Sequence, residues 1–144
     1  MINKLRIAIA KGIESIKQNP DIYLDKLPQG FNAPCFFIRV LSVTDRQKLF
    51  KNYEITVSFD VMYYPDETMH CTNSQLHEVA RELMYGIEYL YVDADTIIRG
   101  NNISYEVQDS SVLHFFISYK YIESRPFIRN DKMQKLYQNF SYKE

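Results

Sequence analysis

Residues 53–63 read Tyr-Glu-Ile-Thr-Val-Ser-Phe-Asp-Val-Met-Tyr. Every odd-numbered position is apolar, and every even-numbered position except Met62 is polar or charged. Because a strand points successive side chains to opposite faces, this run predicts a β-strand with one buried and one solvated face. Residues 113–121 repeat the pattern, with an apolar side chain at each odd position. The two runs predict a sheet whose one face is buried by other elements.

Two amphipathic helices are predicted to supply that cover. Apolar residues recur at helical spacing over residues 2–17, and the segment stops before Pro20, because the residue preceding a proline disfavours helical geometry. A second, wider apolar stripe predicts a helix over about 74–91 that lies flat on the sheet. Thr72 and Gln75 have the spacing of a capping box at its start.

The other strand signals complete an α+β domain. Further strands are predicted at residues 22–24, 35–43, 97–107 and 112–122. Together they favour a single, mostly antiparallel sheet of four to five strands with the N-terminal helix and the central helix packed on it. We expect residues 1–125 to form this one domain and residues 126–144 to form a C-terminal extension or docking arm.

The connection at residues 44–52 is unusual because nine residues exceed the two to five typical of a hairpin loop. It contains three basic residues around an apolar pair. Two interpretations are open: a projecting arm, or a β-ribbon that continues both flanking strands outward.

Composition places the chain among ordinary globular domains. It has 144 residues, of which 46% are apolar and 24% charged, with twelve Tyr, nine Phe and no Trp. Two cysteines are too few for a disulfide scaffold, so a reducing compartment is the simplest expectation. The apolar runs are far shorter than the ~18 residues that span a bilayer, so no membrane association is expected.

Charge is distributed unevenly along this nearly neutral chain. Residues 1–51 carry a net charge of +5, residues 52–119 carry −9 and residues 120–144 carry +3. Either the subunit has a basic and an acidic side that favour self-association, or folding interleaves the segments and removes the asymmetry.

The sequence lacks the signatures of catalysis and of metal or cofactor binding. His77-Glu78 begins an H-E-x-x-H zinc motif, but Arg81 stands where the second histidine belongs. His70 and Cys71 match no structural zinc spacing. Four isolated glycines provide no phosphate-binding loop, and no G-x-S-x-G motif occurs. We therefore expect no enzyme, no metal and no cofactor.

A small single-stranded nucleic-acid-binding domain is an alternative from a different functional class. An aromatic-rich sheet can stack bases, but such a domain also needs a basic groove. Here the sheet-forming segment is the acidic one, and no RNP-type motif occurs.

Three local patterns resemble the tail terminator proteins of phages and of phage-derived contractile particles in Gram-positive bacteria. The first is the connector Leu27-Pro28-Gln29-Gly30-Phe31 running into Pro34-Cys35-Phe36-Phe37-Ile38. The second is the end of the alternating strand, Tyr63-Tyr64-Pro65. The third is the final strand pair, residues 103–107 and 112–119, joined by a polar turn at residues 108–111.

This resemblance implies a structural role in tail assembly. A tail terminator forms a ring, typically a hexamer, that caps the tail tube, stops its polymerisation and presents a surface to the neck or head connector. The implied partners are other copies of the chain, the tail tube protein, and sheath and neck or connector proteins, while DNA only passes through. Assembly is expected in the cytoplasm of the bacterial host, followed by a position at the top of the tail. The parent particle, whether phage, defective prophage or bacteriocin, is left open, as is another neck, head-completion or tail-completion role.

The candidate site residues are assembly contacts. Basic and aromatic residues of the long connection are expected at a ring neighbour or the tube: Arg46, Lys48, Phe50 and Lys51. Apolar residues of the extension are expected to dock as an arm: Phe127, Leu136, Tyr137 and Phe140. The polar face of strand 53–63 carries Glu54 and Asp60, expected at a lumen or inter-subunit surface. The competing interpretations are a solvated hairpin tip for the first set and packing on its own domain for the second.

Overall fold

The computed structural model describes residues 1–66, 72–107 and 112–126. These residues form two helices and six strands: α1 Ile2–Ile16, β1 Asp21–Tyr23, β2 Cys35–Gln47, β3 Asn52–Tyr64, α2 Asn73–Ile87, β4 Tyr89–Asp93, β5 Thr96–Val107 and β6 Leu113–Ser124. The predicted polar turn at residues 108–111 lies outside the described residues.

The six described strands make one sheet in the order β1-β2-β3-β6-β5-β4. The short β1 runs parallel to β2, and every other neighbouring pair is antiparallel. The α+β class and the mostly antiparallel sheet are therefore confirmed. The predicted number of strands, four to five, was too low because β4 comes from a segment predicted to be helical.

Strand β3 lies in the middle of the sheet and anchors the core. It pairs with β2 on one side and with β6 on the other along almost its whole length. Its odd-numbered side chains from residue 55 to residue 61 are at most 4% exposed: Ile55, Val57, Phe59 and Val61. They share one core with the inner faces of α1 and α2. At about 1.5–3 kcal/mol for each buried apolar side chain, this face makes a substantial contribution to the stability of the domain.

The start of α2 follows the predicted capping box. The backbone N–H of Gln75 donates to Thr72 Oγ1 at 3.3 Å, and the Thr72 N–H donates to Gln75 Oε1 at 2.9 Å. Two of the N–H groups that a helix leaves without partners at its first turn are thus satisfied locally.

The end of α2 differs from the prediction, because the helix stops at Ile87 instead of continuing to about residue 91. The Tyr119 hydroxyl donates to the Ile87 carbonyl at 2.5 Å, and the Gly100 N–H donates to the Glu88 carbonyl at 2.6 Å. These donors from β6 and β5 occupy carbonyl groups that would otherwise accept hydrogen bonds from the N–H groups of the next helical turn. Burial raises the pKa of the Tyr119 phenol well above its ordinary value, so the hydroxyl stays a donor. Residues 89–93 are thereby released to pair as β4.

Helices α1 and α2 approach each other at two glycines. A Cβ atom added to Gly12 would lie 2.7 Å from the Gly86 carbonyl oxygen and 2.9 Å from Ile87 Cγ2. The two backbones can come this close only because neither position carries a side chain.

Candidate functional site

The connection between β2 and β3 is a β-ribbon, the second of the two predicted alternatives. Pairing between the strands continues as far as Gln47 and Tyr53, and β6 runs alongside β3 as far as Ser124. Residues 41–52 are all exposed. The turn is closed by two backbone hydrogen bonds, from the Lys48 N–H to the Asn52 carbonyl at 2.8 Å and from the Asn52 N–H to the Leu49 carbonyl at 3.0 Å.

The tip of this ribbon presents two large apolar side chains to solvent. Leu49 is 75% exposed and Phe50 is 80% exposed. Phe50 also has a φ of 56°, in the left-handed region that bulky residues rarely adopt. The exposed Phe50 side chain contributes little to the packing of its own domain. Backbone strain of this kind is concentrated at functional segments.

Basic groups surround those apolar side chains. Lys48 Nζ lies 3.5 Å from a carboxylate oxygen of Glu54, and Arg46 stands opposite Glu54 in the strand register. Within residues 1–66, 72–107 and 112–126, neither Arg46 nor Lys51 forms an ion pair. The structure thus brings together the four candidates predicted in this segment, and we call Arg46, Lys48, Leu49, Phe50 and Lys51 the ribbon tip.

Arg125 braces the ribbon where the described chain ends. Its guanidinium lies 2.5 Å from an Asp45 carboxylate oxygen and 3.8 Å above the centre of the Tyr53 ring. Its backbone N–H donates to the Lys51 carbonyl at 2.9 Å. The predicted docking arm therefore begins beside the ribbon tip, although its four candidates, Phe127, Leu136, Tyr137 and Phe140, lie outside the described residues.

The two carboxylates predicted on the polar face of β3 have different environments. The Glu54 side chain is 23% exposed within the ribbon. The Asp60 side chain is 1% exposed, and its Oδ2 lies 3.2 Å from an Arg39 nitrogen and 3.1 Å from His114 Nδ1. At the level of Asp60, the charge that reaches solvent is therefore the Arg39 guanidinium, whose side chain is 52% exposed.

The opposite edge of the sheet carries an exposed aromatic surface that the sequence patterns did not predict. Tyr89 and Tyr91 project from β4, with 48% and 71% of their surfaces exposed, and Ile97 of β5 is 58% exposed. The signal that marks them is the alternation of Tyr89-Leu-Tyr-Val-Asp93, which the overlapping helical stripe concealed.

Metal binding and membrane spanning find no support in the part of the chain that the structure describes. His77 Nδ1 lies 2.8 Å from the Tyr105 hydroxyl, and no group of three or more potential metal ligands occurs among the described residues. His70 and Cys71 fall outside them. No described helix combines the length and the apolar character that crossing a bilayer requires.

Comparison with known proteins identifies the family. No curated protein matches the sequence. The family model described as "Phage tail terminator protein" matches residues 4–132, which is most of the chain and includes the whole described sheet. The chain therefore belongs to the phage tail terminator protein family, and its role is that of a structural component of the phage tail.

Proposed function

We propose that the chain assembles into a ring, with six copies as the expected number, that caps the finished tail tube. The cap stops polymerisation of the tube and presents its outer surface to neck or head-connector proteins. Assembly takes place in the cytoplasm of the bacterial host, and the ring then stays at the top of the tail. The tail tube protein is the first partner, with sheath and neck proteins as further ones.

The observation that carries this proposal is the ribbon tip. Its apolar residues Leu49 and Phe50 are mostly exposed. Phe50 also has a strained backbone conformation, and its exposed side chain gains little packing within the domain to offset that strain. A structural protein of a tail has a use for such a projection, because a contact made by one subunit on another surface both orders the tip and removes its apolar area from water.

The open edges of the sheet support ring formation. Beyond the three residues that pair with β1, the outer edge of β2 has no strand partner among the described residues. Unpaired edges of this kind accept backbone hydrogen bonds from another chain. A contact between different surfaces of successive copies closes into a ring when the rotation between them closes.

The C-terminal extension and the polar face of β3 would provide further contacts in the assembled ring. The extension starts at Pro126, directly after Arg125, whose backbone N–H donates to the Lys51 carbonyl of the ribbon tip. It would act as an arm that reaches a neighbour through Phe127, Leu136, Tyr137 and Phe140. Glu54 lies on the face proposed for the lumen or for an inter-subunit boundary. Asp60 supports that face from beneath by fixing Arg39.

Incubation of the purified protein with tail tubes tests the proposal. We expect negative-stain images to show tube ends closed by a disc, and native mass spectrometry of the released caps to give one ring mass. A variant with Leu49→Ser and Phe50→Asn removes the apolar tip, and asparagine tolerates the positive φ at position 50. It should remain folded and leave the ends open.

The matched control is Tyr85→Ser, which removes an equally exposed apolar side chain, 76% exposed, from α2. It should cap as well as the wild type. Wild-type protein that never decorates tube ends would overturn the proposal, and salt-sensitive binding to single-stranded DNA would favour the nucleic-acid-binding alternative.

A further inference from the structure

The exposed surface on β4 and β5 is a defined patch rather than scattered side chains. Tyr91 stands opposite Ile97 in the strand register, and Tyr89 stands opposite Arg99, so these residues share one face of the β4–β5 hairpin. The alternate residues Leu90 and Ile98 point the other way, into the core, with 1% and 7% exposure. We call Tyr89, Tyr91 and Ile97 the tyrosine patch.

The composition of the tyrosine patch is that of a protein contact surface. Tyrosine combines a large apolar ring with a hydroxyl and is enriched where proteins meet. Arg99 borders the patch, fixed 3.3 Å from Glu88 and 5.7 Å above the centre of the Tyr89 ring. The patch thus has an apolar centre and a charged rim, the arrangement found in protein interfaces.

The ribbon tip has the complementary chemistry. Its apolar residues Leu49 and Phe50 match the apolar rings and Ile97, since aromatic pairs gain energy beyond their buried area. Its cations Arg46 and Lys51 match exposed tyrosine faces, which attract guanidinium and ammonium groups.

Acidic groups at the end of the β4–β5 hairpin add to the match. Asp93 lies 3.6 Å from Lys4, and its side chain is 49% exposed. Asp95 is exposed and has no ion-pair partner in the described chain. Among the described residues, the unpaired cations of the tip are therefore matched by the opposite charge of the unpaired Asp95 carboxylate beside the patch.

The topology keeps the tip and the patch of one copy apart. The ribbon belongs to β2 and β3, whereas the patch belongs to β4 and β5, so two to four strand intervals separate them, roughly 10–19 Å at about 4.8 Å per interval. A four-residue turn that extends its own strands cannot fold back over β6 and β5 to reach the patch.

The tip and the patch nevertheless lie at the same end of the sheet. Asn52 pairs with Ser124 at one end of β6. The β5–β6 pairing stops in the middle of β6, at Gly100 and Tyr119, and residues 96–99 of β5 run on from there in the direction of Ser124, paired with β4. Copies related by rotation alone bring equal levels into register, so the tip of one copy can meet the patch of the next.

We propose that the ribbon tip of each copy docks on the tyrosine patch of the next copy, in a head-to-tail contact that closes the ring. This inference rests on the proposed function, because it assigns the two halves of the contact within the proposed ring. It adds the receiving surface, which neither the sequence patterns nor the family assignment supplies.

Disulfide trapping in the presence of tail tubes tests the contact. In a background carrying Cys71→Ser, Phe50→Cys and Tyr91→Cys are introduced singly and together. An equal mixture of the two single variants should give a covalent dimer on mild oxidation, well above the yield of either single variant alone. The double variant should give a ladder of covalent oligomers that ends at one closed species.

The control pair is Phe50→Cys with Tyr85→Cys, because Tyr85 is equally exposed but lies on α2. It should give no ladder. Capped tubes without a cross-link between positions 50 and 91 would overturn this contact and leave the capping function intact. If wild-type protein leaves the tubes uncapped, the capping function is overturned. If the cross-link between positions 50 and 91 is also absent in that case, the contact is overturned as well.

Discussion

The Asp60 carboxylate is a strongly constrained charge, since its own side chain is 1% exposed while its partners Arg39 and His114 both reach solvent. Its Oδ1 atom is buried without a hydrogen-bond partner among the described residues. The carboxylate thus depends on the contacts of Oδ2 to balance the cost of its burial. Because Asp60 is buried and Arg39 is half exposed, losing Arg39 should destabilise the fold more than losing the Asp60 charge.

We expect Arg39→Ala to lower the free energy of unfolding by about 2–3 kcal/mol, because it leaves a buried carboxylate without its cation. Asp60→Asn should cost less, about 1 kcal/mol, since the freed guanidinium is already half exposed and can be hydrated. Urea unfolding measures both values. Arg46→Ala, in the same strand but fully on the surface, is the control and should stay within about 0.5 kcal/mol of the wild type. A larger cost for Asp60→Asn than for Arg39→Ala would contradict this assignment.

Cys35 is expected to be chemically inert in the folded protein. Burial, and secondarily the negative charge of Asp21 on the neighbouring strand, raises the pKa of its thiol to about 11. At pH 8 only roughly one thiol in a thousand is then ionised, and the thiolate is the reactive form. In a Cys71→Ser background, iodoacetamide at pH 8 should leave Cys35 unmodified without urea and label it fully in urea. Leu49→Cys in the same background should be labelled at once, and rapid labelling of Cys35 in the folded protein would show that its environment has been misjudged.

At the scale of the elements, tertiary hydrogen bonds decide where α2 ends and β4 begins. The helical stripe runs on past Ile87, and Leu90 fits both that stripe and the strand alternation. What ends the helix is the Tyr119 hydroxyl and the Gly100 N–H, both from strands later in the chain.

The close approach of α1 and α2 gives a test in which two effects oppose each other. In an isolated helix, Gly12→Ala would stabilise by about 1 kcal/mol. Here the new Cβ would lie 2.7 Å from the Gly86 carbonyl oxygen, so we expect a net loss of about 1–3 kcal/mol as the helices move apart. Differential scanning calorimetry should show a lower Tm. Lys11→Ala, on the exposed side of the same helix, should change it little, and an increased Tm for Gly12→Ala would mean that the helices are not this close.

Local patterns predicted those elements whose determinants are local. The capping box of Thr72 and Gln75 and the alternation of β3 depend on residues close in sequence, and both predictions are confirmed. The predicted end of α2 was wrong because the groups that end the helix are distant in sequence. The polar face of β3 was predicted from alternation alone, which could not reveal that Arg39 and His114 would enclose Asp60.

The candidate site was predicted only in part for the same reason. Four residues of the ribbon tip, Arg46, Lys48, Phe50 and Lys51, could be named from the sequence because basic and apolar residues are adjacent there, and their role as contacts stays a prediction. The tyrosine patch was missed because it exists only once β4 pairs with β5. Tyr89 and Tyr91 of β4 form one surface with Ile97 of β5 only because of the register in which the two strands pair, and neither segment alone reveals that register.

At the scale of the whole molecule, the subunit has a projecting ribbon on one side of its sheet and an exposed apolar surface on the other. The proposed contact between successive copies would bury both surfaces at once. This is how one small domain of the tail terminator family would build an assembly that fits the end of a tube.

The elongation of tail tubes in the presence of this protein is the most direct test of tube capping. Tube protein polymerising alone is followed by light scattering and electron microscopy, and the terminator is added partway through growth. We expect elongation to stop at substoichiometric amounts, about one ring per tube end, and the Leu49→Ser, Phe50→Asn variant to have no such effect. Tubes that continue to lengthen at the same rate when the wild-type protein is added would contradict a capping role.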